Sequence, residues 1–575
     1  MLQNTIIKSK NVEVHLHNFY ENVLNRLEKL KSEDILKRIL THDYTIWSDN
    51  PKEISDRLGW LDSPEKTKTE LHSLNNFVTE IINNGFSEAV LLGMGGSSLA
   101  PEVFSKSFGT KKGYLHLSIL DSTHPEVILN YEKKFDSQKT LYIVSTKSGS
   151  TIETISFMKY FFNLVSQKLG KEKAPKHFIA ITDPGSGLEE IAKKLNFRKI
   201  FLNDPNIGGR YSALSLFGIV PAALLGIDVK KLLNNAQLSF NSLSEENVHN
   251  IPSAVLGAAI AELAVKGVDK LTFIISKEIE SFGSWLEQLI AESLGKSGKG
   301  ILPVDQESVL PPEFYSADRL FVNIKLKGDN SNEQQIKLLE EAKHPLIKIE
   351  LNDIYELGEQ FFCWEVATSI MGWVLGINPF DQPNVEAAKV SARKMMRQFE
   401  EKGELPLLEI SVKENDIEVI ASQKYKTIKE AFSNFFMNFN DSSSLGRSYI
   451  AIHAYLNPTN QVISSLQSLR TALQKKYKSA VTIGIGPRFL HSTGQLHKGD
   501  GGKGLFIQFT SNIYHDVPIP EKAGYNDSSF SFGTLISAQS LGDREALLDK
   551  NRNVIRVNFT QDPVSGINKL TSLFS

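Results

Sequence analysis

From about residue 86 the chain alternates short, β-rich apolar runs with amphipathic helical stretches. The runs at 89–92, 116–120, 140–144 and 177–181 each end in a turn with Gly, Ser, Asp or Pro and pass into a helical pattern. This alternation predicts βαβ units and a parallel sheet covered on both faces, with ligands at the C-terminal ends of the strands. A second α/β series starts near 250: a helix at 253–266, strands at 271–275, 320–325 and 346–350, a long apolar helix at 359–375 and a charged helical exit at 393–402. A third follows, with strands at 417–422, 449–456 and 481–485 and a helix at 461–476. Residues 1–80 read as helices with polar faces, such as 19–31, which cover a core built elsewhere. The expected organisation is a helical cover at 1–80, α/β domains at 81–245 and 246–400, and a C-terminal α/β segment at 401–575.

The totals fit this picture. A length of 575 residues exceeds one ordinary core and suggests about three domains. Lys+Arg is 64 and Asp+Glu is 66, so no basic field invites nucleic acid or a membrane surface, and any phosphate must be met by local geometry. One cysteine, Cys363, excludes internal disulfides and a cysteine-based zinc site. The start, Met1 to Thr5, lacks the charged-then-apolar pattern of a signal peptide, and the longest apolar stretch, within 211–228, is broken by Pro221. The expectation is a soluble, cytoplasmic protein.

Six stretches carry candidate chemistry. Ile207-Gly208-Gly209-Arg210-Tyr211-Ser212 pins an arginine between a glycine pair and a segment that buries. Glycine permits positive φ and close approach to a ligand, and the guanidinium is a planar fork suited to oxyanions; a plain turn with a surface arginine is the alternative. Gly93-Met94-Gly95-Gly96-Ser97-Ser98 follows the first strand and offers N–H groups and hydroxyls to an anion at a helix start. It lacks both the dinucleotide pattern, which needs glycine at position 98, and a Walker loop. Ser145-Thr146-Lys147-Ser148-Gly149-Ser150-Thr151-Ile152-Glu153-Thr154 holds far more hydroxyls than a helix cap requires and could wrap a phosphate monoester. Gln288 and Glu292 share a helix face; Glu292 reads either as a solvated residue or as a base with a tuned pKa. Lys389 stands three residues after Glu386, a spacing that also makes a simple ion pair. His491 and His497 do not have the spacing of a metal pair on one helix face, and either reads as an acid/base group or as an ordinary loop histidine.

In this order the motifs resemble the glucose-6-phosphate isomerase family, which is built on sugar-isomerase domains. Gly93–Ser98 is similar to its glycine-rich loop and 146–153 to its phosphate loop. Residues 208–212 match one signature, 292–296 resemble the segment of the catalytic glutamate, and 380–389 match the second signature, with Asn384 in place of the usual glycine. The family's histidine lies between the last two, where this chain has only His344; Leu490-His491-Ser492-Thr493-Gly494-Gln495 resembles the histidine segment but stands beyond Lys389. The C-terminal segment, with 531–535 and 538–543, is similar to the isomerase half of fused transaldolase–isomerase proteins, although no transaldolase barrel can fit in this length.

The resemblance implies two doubly wound sugar-isomerase domains and reversible conversion of glucose 6-phosphate and fructose 6-phosphate, with no metal or cofactor. It implies phosphate held by Thr146, Lys147, Ser148, Ser150 and Thr151, with Gly96, Ser97 and Gly209 nearby. Ring opening falls to His491 with Lys389, His497 being the alternative. Proton transfer falls to Glu292, enediolate stabilisation to Arg210, and sugar hydroxyls to Gln288, Glu153 and Gln382. Family members dimerise and lend the histidine across the interface, so a homodimer is one expected assembly. Two rival readings are an isomerase of another sugar phosphate, and a sugar-phosphate-binding regulator without chemistry; the latter has no helix-turn-helix or basic segment to support it.

Overall fold

A computed structural model describes residues 5–441 and 447–574. The first four residues, the last one and 442–446, which take in the end of the loop 438–444 that offers no chemical grouping in the sequence, lie outside them.

The first sheet runs His116–Leu120, Glu88–Gly93, Thr140–Ser145, Phe178–Thr182, Lys199–Leu202, all parallel. Its central strands are buried along their whole length, as a sheet covered on both faces demands. Gly93 is in register with Ser145, so the two loops that follow leave the sheet side by side.

The second sheet pairs Leu302–Val304, Lys270–Ile275, Arg319–Leu326 and Leu346–Leu351 in parallel. Its far edge corrects the reading of residues 1–80 as purely helical. Ile6–Ser9 and Val12–His15 form a hairpin whose second strand pairs antiparallel with Leu346–Leu351. The apolar Ile7, Val12 and Val14 of these four-residue strands enter the main core.

A third sheet, ordered Val412–Glu414, Ile417–Ile420, Asn553–Phe559, Gly504–Ser511, Tyr449–Tyr455, Val481–Ile485, forms the C-terminal unit. Its last four strands are parallel, with a separate core beneath them. Two boundaries differ from the expected ones. The helix Val385–Lys402, counted above with the second domain, packs on the C-terminal helix Phe532–Leu548 so closely that a Cβ on Gly542 would stand 2.6 Å from the Ala392 nitrogen. Val517, Ile519, Phe532 and Leu535 join the first domain's outer core, where Phe532 stacks on Phe157 with 5.9 Å between ring centroids. The C-terminal unit therefore clamps both preceding domains. No helix among the described residues is long and apolar enough to cross a membrane.

Candidate active site

The site forms where the three units meet. Arg210 sits in a short 3-10 turn, Gly209–Tyr211, and is almost fully buried. Gly208 has φ −67° and neither glycine of the pair takes positive φ, so the pair serves space rather than an unusual backbone. A Cβ on Gly209 would meet nothing within 4 Å, leaving the backbone open on that side, whereas a Cβ on Gly96 would stand 2.0 Å from the Gly209 oxygen. Gly96 thus lets the first glycine loop lie directly on the arginine turn.

Arg210 places its guanidinium by five donations. Nε goes to Ser293 Oγ at 2.7 Å, Nη1 to Glu292 Oε1 at 3.1 Å and to Gln382 Oε1 at 2.9 Å, and Nη2 to the carbonyls of Pro379 at 2.6 Å and Asp381 at 3.0 Å. The plain-turn alternative therefore fails. Lys296 fastens the same 378–382 loop through the carbonyls of Asn378 and Asp381 and the Asp381 carboxylate. Burial, reinforced by the charge of Arg210, brings the Lys296 pKa down to about 8.

Glu292 lies in the helix Phe282–Leu294, nearly buried, and its second oxygen accepts from Gln288 Nε2 at 3.1 Å. That same nitrogen donates to the His491 carbonyl at 2.7 Å. Gln288 Oε1 is buried with no protein partner, an open acceptor beside the carboxylate. His491 Nε2 lies 3.0 Å from Glu153 Oε1, and Gln539 Nε2 donates to the same oxygen at 2.7 Å. Burial opposes ionisation of Glu153, but the charge and hydrogen bond of His491 outweigh it and, with the ammonium of Lys389, hold the carboxyl below its ordinary pKa. A chain of direct contacts thus runs Glu153, His491, Gln288, Glu292, Arg210, Gln382.

The hydroxyl loop lies next to this chain. Thr151 is the N-cap of the helix Ile152–Leu169 but makes no side-chain cap bond; its Oγ1 pairs with Thr146 Oγ1 at 3.1 Å. Ser148 and Ser150 pair at 2.7 Å. The hydroxyls face one another rather than the helix end, as an anion cradle would leave them. Gly149 takes φ +69° with Leu188 N pressed against its α-carbon, a position closed to a side chain. The Lys147 ammonium turns away, to Asp183 and to the Pro205 carbonyl at 2.7 Å, so this arrangement leaves its backbone rather than its charge at the loop. Ser97 lies in the 3-10 turn Gly95–Ser97, and its carbonyl accepts from Ser145 Oγ at 3.2 Å.

Lys389 is exposed, and the pair expected from its spacing does not form: Glu386 bonds Arg393 instead. His497 is placed elsewhere. It is 1% exposed in the C-terminal unit, with Nδ1 3.1 Å from His453 Nε2, and His453 Nδ1 lies 3.2 Å from Asp543. Three contributors escaped sequence reading. Gln539 reaches Glu153 from a distant segment, and Thr123 holds Gln539 by donating to its Oε1 at 3.0 Å. Gln495 was visible only as part of a motif. Its amide bonds the Gly295 carbonyl, the Asn384 side chain and the backbone N–H groups of Asn384 and Val385 at 2.8–3.1 Å. Asn384, where a glycine was expected, is thereby tied to the histidine segment. Among the described residues no three His, Cys, Asp or Glu side chains group as metal ligands.

Comparison with known proteins places this geometry. The phosphoglucose isomerase family model matches residues 73–307. A probable glucose-6-phosphate isomerase of Methanococcus maripaludis is 31% identical over 384 residues, 85% of its length and 60% of this chain. The chain belongs to the phosphoglucose isomerase family. The glucose-6-phosphate isomerase of Campylobacter jejuni is 28% identical, matched over its whole length and 69% of this chain. Among solved structures, a protein of Thermus thermophilus superposes with TM-score 0.56 at 25% identity, covering 66% of this chain and 98% of that one. The glucose-6-phosphate isomerase of Chlamydia trachomatis, at TM-score 0.59 and 18% identity, covers 70% and 91% and shares the fold. The family model takes in the whole of the first sheet and the strands Lys270–Ile275 and Leu302–Val304 of the second.

Proposed function

We propose that this site opens the ring of a six-carbon sugar phosphate and isomerises it by proton transfer. The chain is an aldose–ketose isomerase acting on glucose 6-phosphate and fructose 6-phosphate, the reaction shared by glycolysis and gluconeogenesis and carried in the names of its relatives. The observation that supports the residue assignment is the contact chain joining His491 to Glu292 through Gln288, and Glu292 to Arg210.

The phosphate binds across Thr146, Ser148, Ser150 and Thr151, the backbone of Lys147, and Ser97 and Gly96. That remote binding energy positions the reacting end. His491, oriented by Glu153, gives its proton to the ring oxygen as the C1–O5 bond breaks and takes back the one that the C1 hydroxyl of the aldose loses, with Lys389 at the rim. Glu292 then removes the proton from C2 and returns it to C1 by way of a cis-enediol. Negative charge develops on the enediolate, where Arg210 is already fixed in a dry setting. Gln288 Oε1, Gln382 and Glu153 take sugar hydroxyls, and Gly209 leaves room for the substrate backbone.

The expected location is the cytoplasm, in keeping with the single, buried Cys363. A homodimer is compatible with the family, but the histidine here stands on the same chain as the glutamate. Purified chain given fructose 6-phosphate in the presence of EDTA should form glucose 6-phosphate, read through a coupled dehydrogenase. Absence of turnover would overturn the reading, and faster turnover of mannose 6-phosphate would shift it to the rival sugar.

A further inference from the structure

Apart from the isomerase site, the C-terminal unit holds a cleft of about 410 Å³. It opens at the carboxyl ends of three parallel strands. Tyr455 ends Tyr449–Tyr455, Thr510 and Ser511 end Gly504–Ser511, and Arg556 and Asn558 stand near the end of Asn553–Phe559. The strand Tyr449–Tyr455 lies between Val481–Ile485 and Gly504–Ser511, so the chain crosses from one of its sides to the other. This is a topological switch point, where open parallel sheets leave a crevice for ligands.

The charges there are unbalanced. Arg556 donates to Gln508 Oε1 at 2.7 Å and to Ser540 Oγ at 3.2 Å, both neutral, and among the described residues no carboxylate lies within ion-pair distance of it. Arg544 follows Ser537 and Ser540 at helical spacing, on the same face of Phe532–Leu548. It forms no ion pair among the described residues, and its Nε is buried without a partner. Burial and the neighbouring charge of Arg544 bring the Arg556 pKa down to about 10. Two adjacent guanidinium groups with no counter-ion are costly unless an anion completes them. The third element is Tyr455, 4% exposed, whose hydroxyl has no partner within 3.5 Å; burial, and the Asp543 carboxylate it points toward, push its pKa well above the ordinary phenol range. The remaining walls carry hydroxyls and amides, from Ser537, Thr510, Asn512 and Asn558. The volume exceeds what a bare phosphate needs.

We propose that this cleft is a second ligand site of the chain, which binds the phosphate monoester of a small polyol through Arg556, Arg544 and the Tyr455 hydroxyl. The phosphate lies against Arg556, which lines the cleft, with Arg544 behind it adding positive charge, and the polyol reaches the Thr510 and Asn512 side. The site is separate from the isomerase chemistry, whose groups Gln539 and His491 point to Glu153.

The test is calorimetric titration of the full chain with inorganic phosphate and with glycerol 3-phosphate. Two sites per chain are expected, the isomerase loop and this cleft. Glycerol 3-phosphate should bind the cleft at least tenfold more tightly than inorganic phosphate, and affinity should weaken as salt is raised. Arg556→Gln should abolish the second site. Because that arginine also braces Gln508, Arg544→Gln and Tyr455→Phe are run in parallel; neither removes a hydrogen bond of the free protein. Each should weaken cleft binding tenfold or more, with melting temperature and isomerase kcat and KM within twofold of wild type. A single site in the wild type, or a second site unaffected by both substitutions, overturns the proposal. Equal affinity for the two ligands overturns its polyol part.

Discussion

Arg210 Nη1 stands 3.1 Å from Glu292 Oε1, with both groups nearly out of solvent. The pair is electrostatically matched before any substrate arrives. In the proposed reaction Glu292 takes the proton from C2, so its own charge disappears as the enediolate's appears, and the guanidinium shifts its attraction from one to the other. The same arginine also saturates two loop carbonyls. Arg210→Lys keeps the charge but loses the planar fork. It should lower kcat roughly 10²–10³-fold, with a smaller change in KM, and should lower the melting temperature by stranding the carbonyls of Pro379 and Asp381. A rise in KM alone would mean that Arg210 binds ground state and transition state equally.

Glu292→Gln keeps the shape and the Gln288 contact but removes the base. General acid–base catalysis contributes about 10²–10⁴-fold, and a loss of that order in kcat is expected, with KM little altered. Exchange of the C2 hydrogen with deuterated solvent should fall in parallel. Full activity in this variant would remove Glu292 from its role.

The two histidines should separate cleanly. His491→Ala should depress turnover of ring-closed substrate while leaving the melting temperature near wild type, because the side chain is partly exposed and its main contact is Glu153. His497→Ala removes a buried ring packed on His453 and Phe506, so its main effect should be a lower melting temperature. The reverse pattern would exchange their roles.

Gly96→Ala offers a geometric test away from the charged groups. A methyl there collides with the Gly209 carbonyl and must displace the turn that carries Arg210. Turnover should drop at least tenfold. A Gly95→Ala change presses on Gln288 and His491 instead and should perturb ring opening.

Stability should fall as pH rises toward the alkaline side. Burial, with the nearby Asp305 charge, raises Glu287 to about 8, and burial raises Asp305 to about 6. Each carboxyl is held protonated in the fold above the pH at which it ionises in the unfolded chain. The folded state therefore binds more protons, and stability declines between the unfolded and folded pKa values, about 4.5 to 8 for Glu287. Melting temperature measured from pH 5 to 9 should decrease. Glu287→Gln should flatten the upper part of that profile, and an unchanged slope would count against the assignment.

Much of this was legible from the chain itself where local pattern decides structure. The strand His116–Leu120 and the strand Val481–Ile485 were placed to the residue, because turn-forming residues bound them on both sides. The hydroxyl loop and Glu292 stood out by composition and by helical spacing. Gly504–Ser511 and Asn553–Phe559 were missed, and the reason is physical: Gln508, Arg556 and Asn558 interrupt their apolar pattern, and the last two line the second cleft. Ile6–Ser9 and Val12–His15 are too short to show a period and exist only because the edge of the second sheet receives them. Gln539 showed only as part of the 538–543 motif, and nothing in the sequence pointed to its partner Glu153, 386 positions away. Of the two uses that glycine permits at 208 and 209, positive φ and close approach, the structure shows only the second.

His491 reaches Glu153 and Gln288 from the same chain that supplies them. Its effective concentration at the site is then set by folding and owes nothing to the amount of protein in solution. An isomerase that must borrow this group from a neighbour loses specific activity on dilution; this one should keep it at nanomolar levels. On the proposed assignment the C-terminal unit makes supply of this group a matter of tertiary structure rather than of mass action, and leaves any association of subunits free to serve another purpose.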